Sequence, residues 1–173
     1  MTAATVLAGI VMLAAAPPAA AIVLSEPAPT PSPVPPQMGG RVQVPWAGLA
    51  MTFPTDWEVR VKRPPGRVDE GGATILFARG PDDSKCLLDQ YDPATVENWE
   101  DVGIEAVAEL RIAGQPAKRY DNMWGGGSIG VSAYAVYAPA VQYSLLCTAP
   151  VAPDDRWGSI ATSLEFLPPE DLA

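Results

Sequence analysis

The stretch of residues 48–59, GLAMTFPTDWEV, constrains the fold more than any other part of the sequence. Apolar residues alternate with smaller or polar ones up to Phe53 and again from Trp57, which is the period of strands with one buried face. Pro54-Thr55-Asp56 lies between the two runs and is turn chemistry, because proline fixes φ and an Asp carboxylate binds nearby N–H groups. The stretch therefore predicts a β-hairpin with Phe53 and Trp57 facing the core.

The rest of the chain predicts further strands joined by tight turns. Alternating or β-branched runs mark strands at residues 41–44, 73–79, 85–91, 106–112, 116–123, 129–137 and 141–148. One helix is predicted to start at Asp92, followed by Pro93, and to stop by Gly103. A second, capped by Asp154, has Trp157, Ile160 and Ala161 on one side. The predicted class is α+β, an antiparallel sheet with helices packed on its faces.

The N-terminal region predicts export. Residues 6–16 are apolar and are followed by Ala19-x-Ala21, which fits a secretory signal peptide without its usual basic region. Residues 5–24 also approach the ~20 residues that span a bilayer, so an uncleaved membrane tether is an alternative, and a cytoplasmic amphiphile is a third. In the first two cases the folded part lies outside the cytoplasm.

The predicted organisation has four parts. Residues 1–24 form the signal peptide or anchor. Residues 25–40 form a disordered, proline-rich linker that runs as an extended spacer. The folded domain covers residues 41–168, and residues 169–173 form a tail.

Two cysteines, Cys86 and Cys147, fall in predicted strands. In an exported chain an even pair predicts a disulfide bond. The alternative is two buried free thiols. The formal net charge of −9 disfavours nucleic acid as a partner, because binding phosphates requires clustered Lys and Arg.

The motif G-L-x-M-x-F-P-x-x-W-x-V at residues 48–59 resembles the opening motif of the PsbP-like superfamily, which includes many exported bacterial proteins of unknown role. G-x-P-A at residues 114–117 and W-x-x-I-x-x-S-L-x-F at residues 157–166 agree with it. The resemblance covers residues 42–167. It implies an α/β/α sandwich built on an antiparallel sheet, and it carries over no catalytic residue.

Two motifs at a glycine-rich loop match catalytic or cofactor patterns. Residues 125–130, GGGSIG, fit the dinucleotide pattern G-x-G-x-x-G, but that site requires a following helix and a strand is predicted here. Residues 126–130 fit G-x-S-x-G, but the chain contains no histidine to activate the serine. The ordinary interpretation is a hairpin tip, and no cofactor is expected.

Metal chemistry is restricted by composition. The absence of histidine, with only two cysteines, removes the usual zinc, haem and copper ligand sets. For calcium the best local cluster is Asp82, Asp83, Asp89 and Asp92, which lacks the spacing of a calcium loop and is interpreted as solvated turn carboxylates.

Trp124, beside Gly125, Gly126 and Gly127, is the residue most open to two interpretations. It is either an exposed aromatic anchor for a partner or a sugar ring, or part of the core. The sequence therefore predicts an exported, non-catalytic module that binds an envelope or secreted protein, with Trp124 to Gly127 as the candidate surface. A hydrolase using paired Asp/Glu carboxylates and a small-ligand or calcium-binding protein are the alternatives.

Overall fold

The computed structural model describes residues 35–62, 72–95, 99–121, 129–150 and 155–172. Within these ranges nine strands form one antiparallel sheet, with the path β1-β2-β3-β4-β8-β7-β6-β5 and with β9 pairing β2. The strands are β1 Gln37–Val44, β2 Leu49–Val61, β3 Ala73–Arg79, β4 Lys85–Tyr91, β5 Ala108–Ile112, β6 Gln115–Asp121, β7 Gly130–Tyr137, β8 Gln142–Ala149 and β9 Glu165–Phe166. The helix α1 is Asp155–Thr162, and Pro45–Ala47, Trp99–Val102 and Pro169–Asp171 are 3₁₀ helices.

The turn predicted within residues 48–59 is wrong, whereas the predicted burial of Phe53 and Trp57 is confirmed. β2 runs through Pro54 as one strand of 13 residues, because β1 pairs with both of its halves. Residues 54–57 lie opposite Gly39 alone, so the turn chemistry is accommodated in a bulge, where a missing proline N–H costs little. A Cβ atom at Gly39 would overlap the Pro54 carbonyl oxygen. Thr55 and Asp56 in the bulge are both exposed, but the side chains of Phe53 before it and Trp57 after it are buried, as predicted.

The helix predicted to start at Asp92 is also corrected. Its carboxylate accepts a hydrogen bond from the Ala94 N–H at 2.8 Å, as a cap does, but the residues that follow form a turn. The described chain then resumes in the 3₁₀ helix Trp99–Val102. Gly103, with φ at 83°, ends this segment, and so short a helix is marginal without tertiary support. The described fold is mostly antiparallel sheet with one α-helix.

The ends of the folded domain also differ from the prediction. β1 begins at Gln37, so residues 37–40, expected in the linker, belong to the sheet because they pair along β2. The expected tail contains the 3₁₀ helix Pro169–Asp171. Residues 25–34 of the linker and the signal peptide or anchor lie outside the described residues. None of the described helices is long and apolar enough to cross a membrane.

The main core lies between one face of the sheet and α1. Trp157, Ile160 and Ala161 are at most 2% exposed, as predicted for one side of that helix. Cys86 and Cys147 lie opposite each other on β4 and β8 and form a disulfide, with their Cα atoms 4.1 Å apart. Both are fully buried. The predicted disulfide is confirmed, and the alternative of two free thiols is wrong.

Gly158 lies inside α1, and we expect Gly158→Ala to stabilise the protein by about 0.5–1 kcal/mol, since glycine in a helix is entropically unfavourable. A Cβ atom there would lie 3.7 Å from the Tyr134 hydroxyl, an ordinary contact. Urea unfolding measures the change. Gly103→Ala is the control: its Cβ atom would meet open space, but its φ of 83° strains alanine, so this variant should be destabilised. A destabilised Gly158→Ala protein would contradict the expectation.

Candidate interaction surface

The surface predicted at Trp124, Gly125, Gly126 and Gly127 lies outside the described residues, so both interpretations of Trp124 stay predictions. Ile129, the first described residue after them, is 60% exposed. The described residues form a candidate surface elsewhere, at the β5 end of the sheet.

The second face of the sheet carries a small apolar cluster. Tyr120, Ala133 and Ala135 are buried there, with Leu146 and Tyr137 beside them. The segment from Trp99 to Ala106 packs on this cluster, and the Trp99 and Tyr120 rings meet edge to face with centroids 4.7 Å apart. The segment leaves the area toward the β5–β6 turn open.

An open depression of about 270 Å³ occupies that area. The β5–β6 hairpin forms its wall, closed by Ala113 and Gly114 with φ of 49° and 77°, as a type I′ turn requires. The register places Glu109 opposite Lys118 and Arg111 opposite Pro116. The lining residues are Glu109, Leu110, Arg111, Pro116, Ala117, Lys118 and Tyr137.

Hydrogen bonds fix the polar groups around the depression. The Lys118 ammonium lies 2.5 Å from a Glu100 carboxylate oxygen, and this hydrogen bond raises the pKa of Lys118. The Tyr120 and Tyr137 hydroxyls are 3.2 Å apart. Burial, followed by the hydrogen bond to Tyr137, raises the pKa of Tyr120. The lining therefore carries the Lys118 ammonium group, paired with Glu100, and the Tyr137 phenol, while Tyr120 is buried beneath them.

The carboxylates considered for calcium, which the sequence analysis interprets as solvated turn residues, have other partners. Asp83 pairs with Arg79, which holds the pKa of Asp83 below its usual value, and Asp82 lies 3.6 Å from Arg156. Asp89 accepts a hydrogen bond from the Tyr91 hydroxyl at 3.4 Å, and burial raises the pKa of Tyr91. In the part of the chain that the structure describes, no group of three or more His, Cys, Asp or Glu residues is placed to hold a metal ion.

Sequence reasoning missed the depression. The available signal was the alternation of Glu109 and Arg111 on one face of a predicted strand, with Lys118 on the next. The contribution of Tyr137 depends on sheet register, which the sequence pattern does not give.

No family model matches the sequence, and no curated protein matches it. Solved structures do. A crystal structure from Bacteroides thetaiotaomicron has 11% identity and a TM-score of 0.54 over 78% of this chain. This chain spans half the length of that protein.

Two further solved structures are similar at lower scores. The solution structure of PsbP from the cyanobacterium Synechocystis has 12% identity and a TM-score of 0.49, covering 82% of this chain and 99% of the other. The Saccharomyces cerevisiae Ran-binding protein Mog1p has 11% identity and a TM-score of 0.40, covering 79% and 100%. A cyanobacterial PsbP is therefore among the structures to which this chain is similar, as the opening motif predicted, and at these identities the likeness is one of fold alone.

Proposed function

We propose that the chain is an exported, non-catalytic interaction module that binds an envelope or secreted protein through the depression beside β5. The observation that carries this proposal is the chemistry of the lining: Arg111, Lys118, Glu109 and Tyr137 surround an open hollow. Arg and Tyr are enriched among the residues that dominate protein–protein binding energy.

The size of the hollow favours a protein partner over a small ligand. Its volume of about 270 Å³ lies below the ~300–1,000 Å³ typical of small-molecule pockets, which also enclose most of their ligand. Among the described residues, its lining contains one carboxylate, that of Glu109, whereas a glycosidase-type hydrolase needs two facing each other across a cleft. The described geometry therefore favours binding over hydrolysis.

The proposed location is extracytoplasmic. The disulfide between Cys86 and Cys147 supports it, because such bonds persist mainly in oxidising compartments. The domain is then either released by cleavage or held at the membrane through residues 5–24. We also infer that the segment packed on the second face of the sheet belongs to a second helical layer, as in a PsbP-like sandwich.

Affinity capture from the native cell envelope tests the proposed site. The double variant Tyr137→Ala/Lys118→Ala removes the phenol and the ammonium group of the depression, and we expect it to lose the partner that the unchanged chain retains. Tyr91→Ala/Lys85→Ala is the matched control, with the same replacements on β4, outside the lining. Equal capture by both variants would contradict the proposed site, provided that near-ultraviolet circular dichroism shows both folded.

A further inference from the structure

β5 is the last strand on the path of the sheet, and in the described residues it pairs with β6 alone. It consists of five residues, Ala-Glu-Leu-Arg-Ile. The side chains of Glu109 and Arg111 lie on the face with the depression, and both are exposed. Leu110 packs against the main core on the other face and is half-buried.

The turn determines which backbone groups of β5 face outward. A two-residue hairpin turn closes with the carbonyl of its first residue accepting from the N–H of its fourth, which makes Ile112 and Gln115 a hydrogen-bonded pair. Hydrogen-bonded and non-hydrogen-bonded pairs alternate along an antiparallel ladder. Leu110 therefore directs its N–H and C=O toward β6, and Glu109 and Arg111 direct theirs to the open edge.

We propose that two copies of this chain associate by pairing their β5 strands antiparallel, about a two-fold axis at Leu110. In this arrangement Glu109 of one subunit forms a hydrogen-bonded pair with Arg111 of the partner subunit. The two-fold symmetry repeats this pair on the other side of the axis. All the outward backbone groups of these two residues are then satisfied. The two sheets become one continuous sheet across the axis.

The side chains select this register over its neighbours. With Leu110 on the axis, Glu109 lies opposite Arg111 of the partner subunit, and opposite charges directly across a ladder stabilise it. Moving the axis to Glu109 or to Arg111 keeps the hydrogen-bond pattern but places like charges opposite each other. Moving the axis to a point midway between adjacent residues would place residues with outward backbone groups opposite residues whose groups point toward β6. It would also place side chains of one sheet face opposite those of the other. The strand is therefore self-complementary in one register.

Exchanging the charges tests the pairing. In sedimentation equilibrium of the full chain over a concentration series, we expect a reversible monomer–dimer equilibrium. Glu109→Arg should shift it toward monomer, because arginines would then oppose each other. Glu109→Arg/Arg111→Glu restores opposite charges and should restore the dimer. A cooperative thermal unfolding transition in each variant would show that the variants remain folded. Monomers at every concentration, or a dimer that Glu109→Arg leaves unchanged, would overturn the proposal.

A cysteine at the axis tests the register independently of how strongly the two copies associate. Non-hydrogen-bonded pairs have Cα atoms ~4.5 Å apart, within the range of a disulfide. Leu110→Cys should therefore give a covalent dimer under oxidising conditions, seen by intact mass. Glu109→Cys and Arg111→Cys should give far less, because each would lie diagonally from its own copy, at ~7–8 Å. Equal cross-linking of all three variants, or none in Leu110→Cys, would overturn this register.

Discussion

Replacing both Cys86 and Cys147 with alanine is expected to lower the free energy of unfolding by about 4 kcal/mol. The bond joins residues 61 positions apart, and removing it frees the unfolded chain to explore many more conformations. It also leaves small side chains in place of a fully buried cystine. Urea unfolding of the oxidised protein and of the double variant gives the difference.

A second measurement separates loss of the cross-link from loss of packing. The unchanged protein, unfolded by urea in the presence of a thiol reductant, should approach the midpoint of the double variant. Because both sulfur atoms are buried, reduction without urea should be slow and should follow opening of the structure. A difference below about 1 kcal/mol between the oxidised protein and the double variant would contradict the assigned stabilising role.

Gly80→Ala is expected to destabilise the protein by about 1–3 kcal/mol through overpacking. A Cβ atom at Gly80 would lie 2.7 Å from the Trp57 ring, and that indole is only 1% exposed. Gly80 has little freedom to move away, because its N–H donates to the Ser84 carbonyl at 2.8 Å. Urea unfolding measures the loss, with the Gly158→Ala variant as a glycine-to-alanine control that lacks the clash.

A double-mutant cycle identifies the indole as the cause. The atoms that a Cβ atom at Gly80 would approach most closely include the indole nitrogen Nε1 of Trp57. Among the described residues, this buried nitrogen lacks a hydrogen-bond partner, so no hydrogen bond of its N–H offsets the clash with an added Cβ atom. Trp57→Phe shortens the side chain, and in that background Gly80→Ala should cost less. Equal costs in both backgrounds would show that the clash lies with another group.

The sequence predicts those elements whose pattern is local. β3 and β4 have the bounds expected from their β-branched and apolar runs. Phe53 and Trp57 face the core because burial resumes in phase after the bulge in β2. The disulfide was predictable because two cysteines allow a single pairing.

The wrong predictions lie where pairing with a segment distant in sequence determines the local structure. Pro54-Thr55-Asp56 has the residues of a turn, but β1 pairs with the strand on both sides of it and converts the turn into a bulge. The depression was likewise hidden, because Tyr137 reaches it from β7 through the sheet register. Neither arrangement is contained in the short stretches that form it.

The sheet path consists of two meanders, β1–β4 and β5–β8, which meet at the β4–β8 ladder. The Cys86–Cys147 bond crosses that ladder, and it therefore ties the first meander covalently to the second. A protease that cuts the peptide once in the connection between β4 and β5 would leave two fragments still held together. A protein built this way tolerates such a cut in surroundings rich in proteases, for as long as those surroundings stay oxidising.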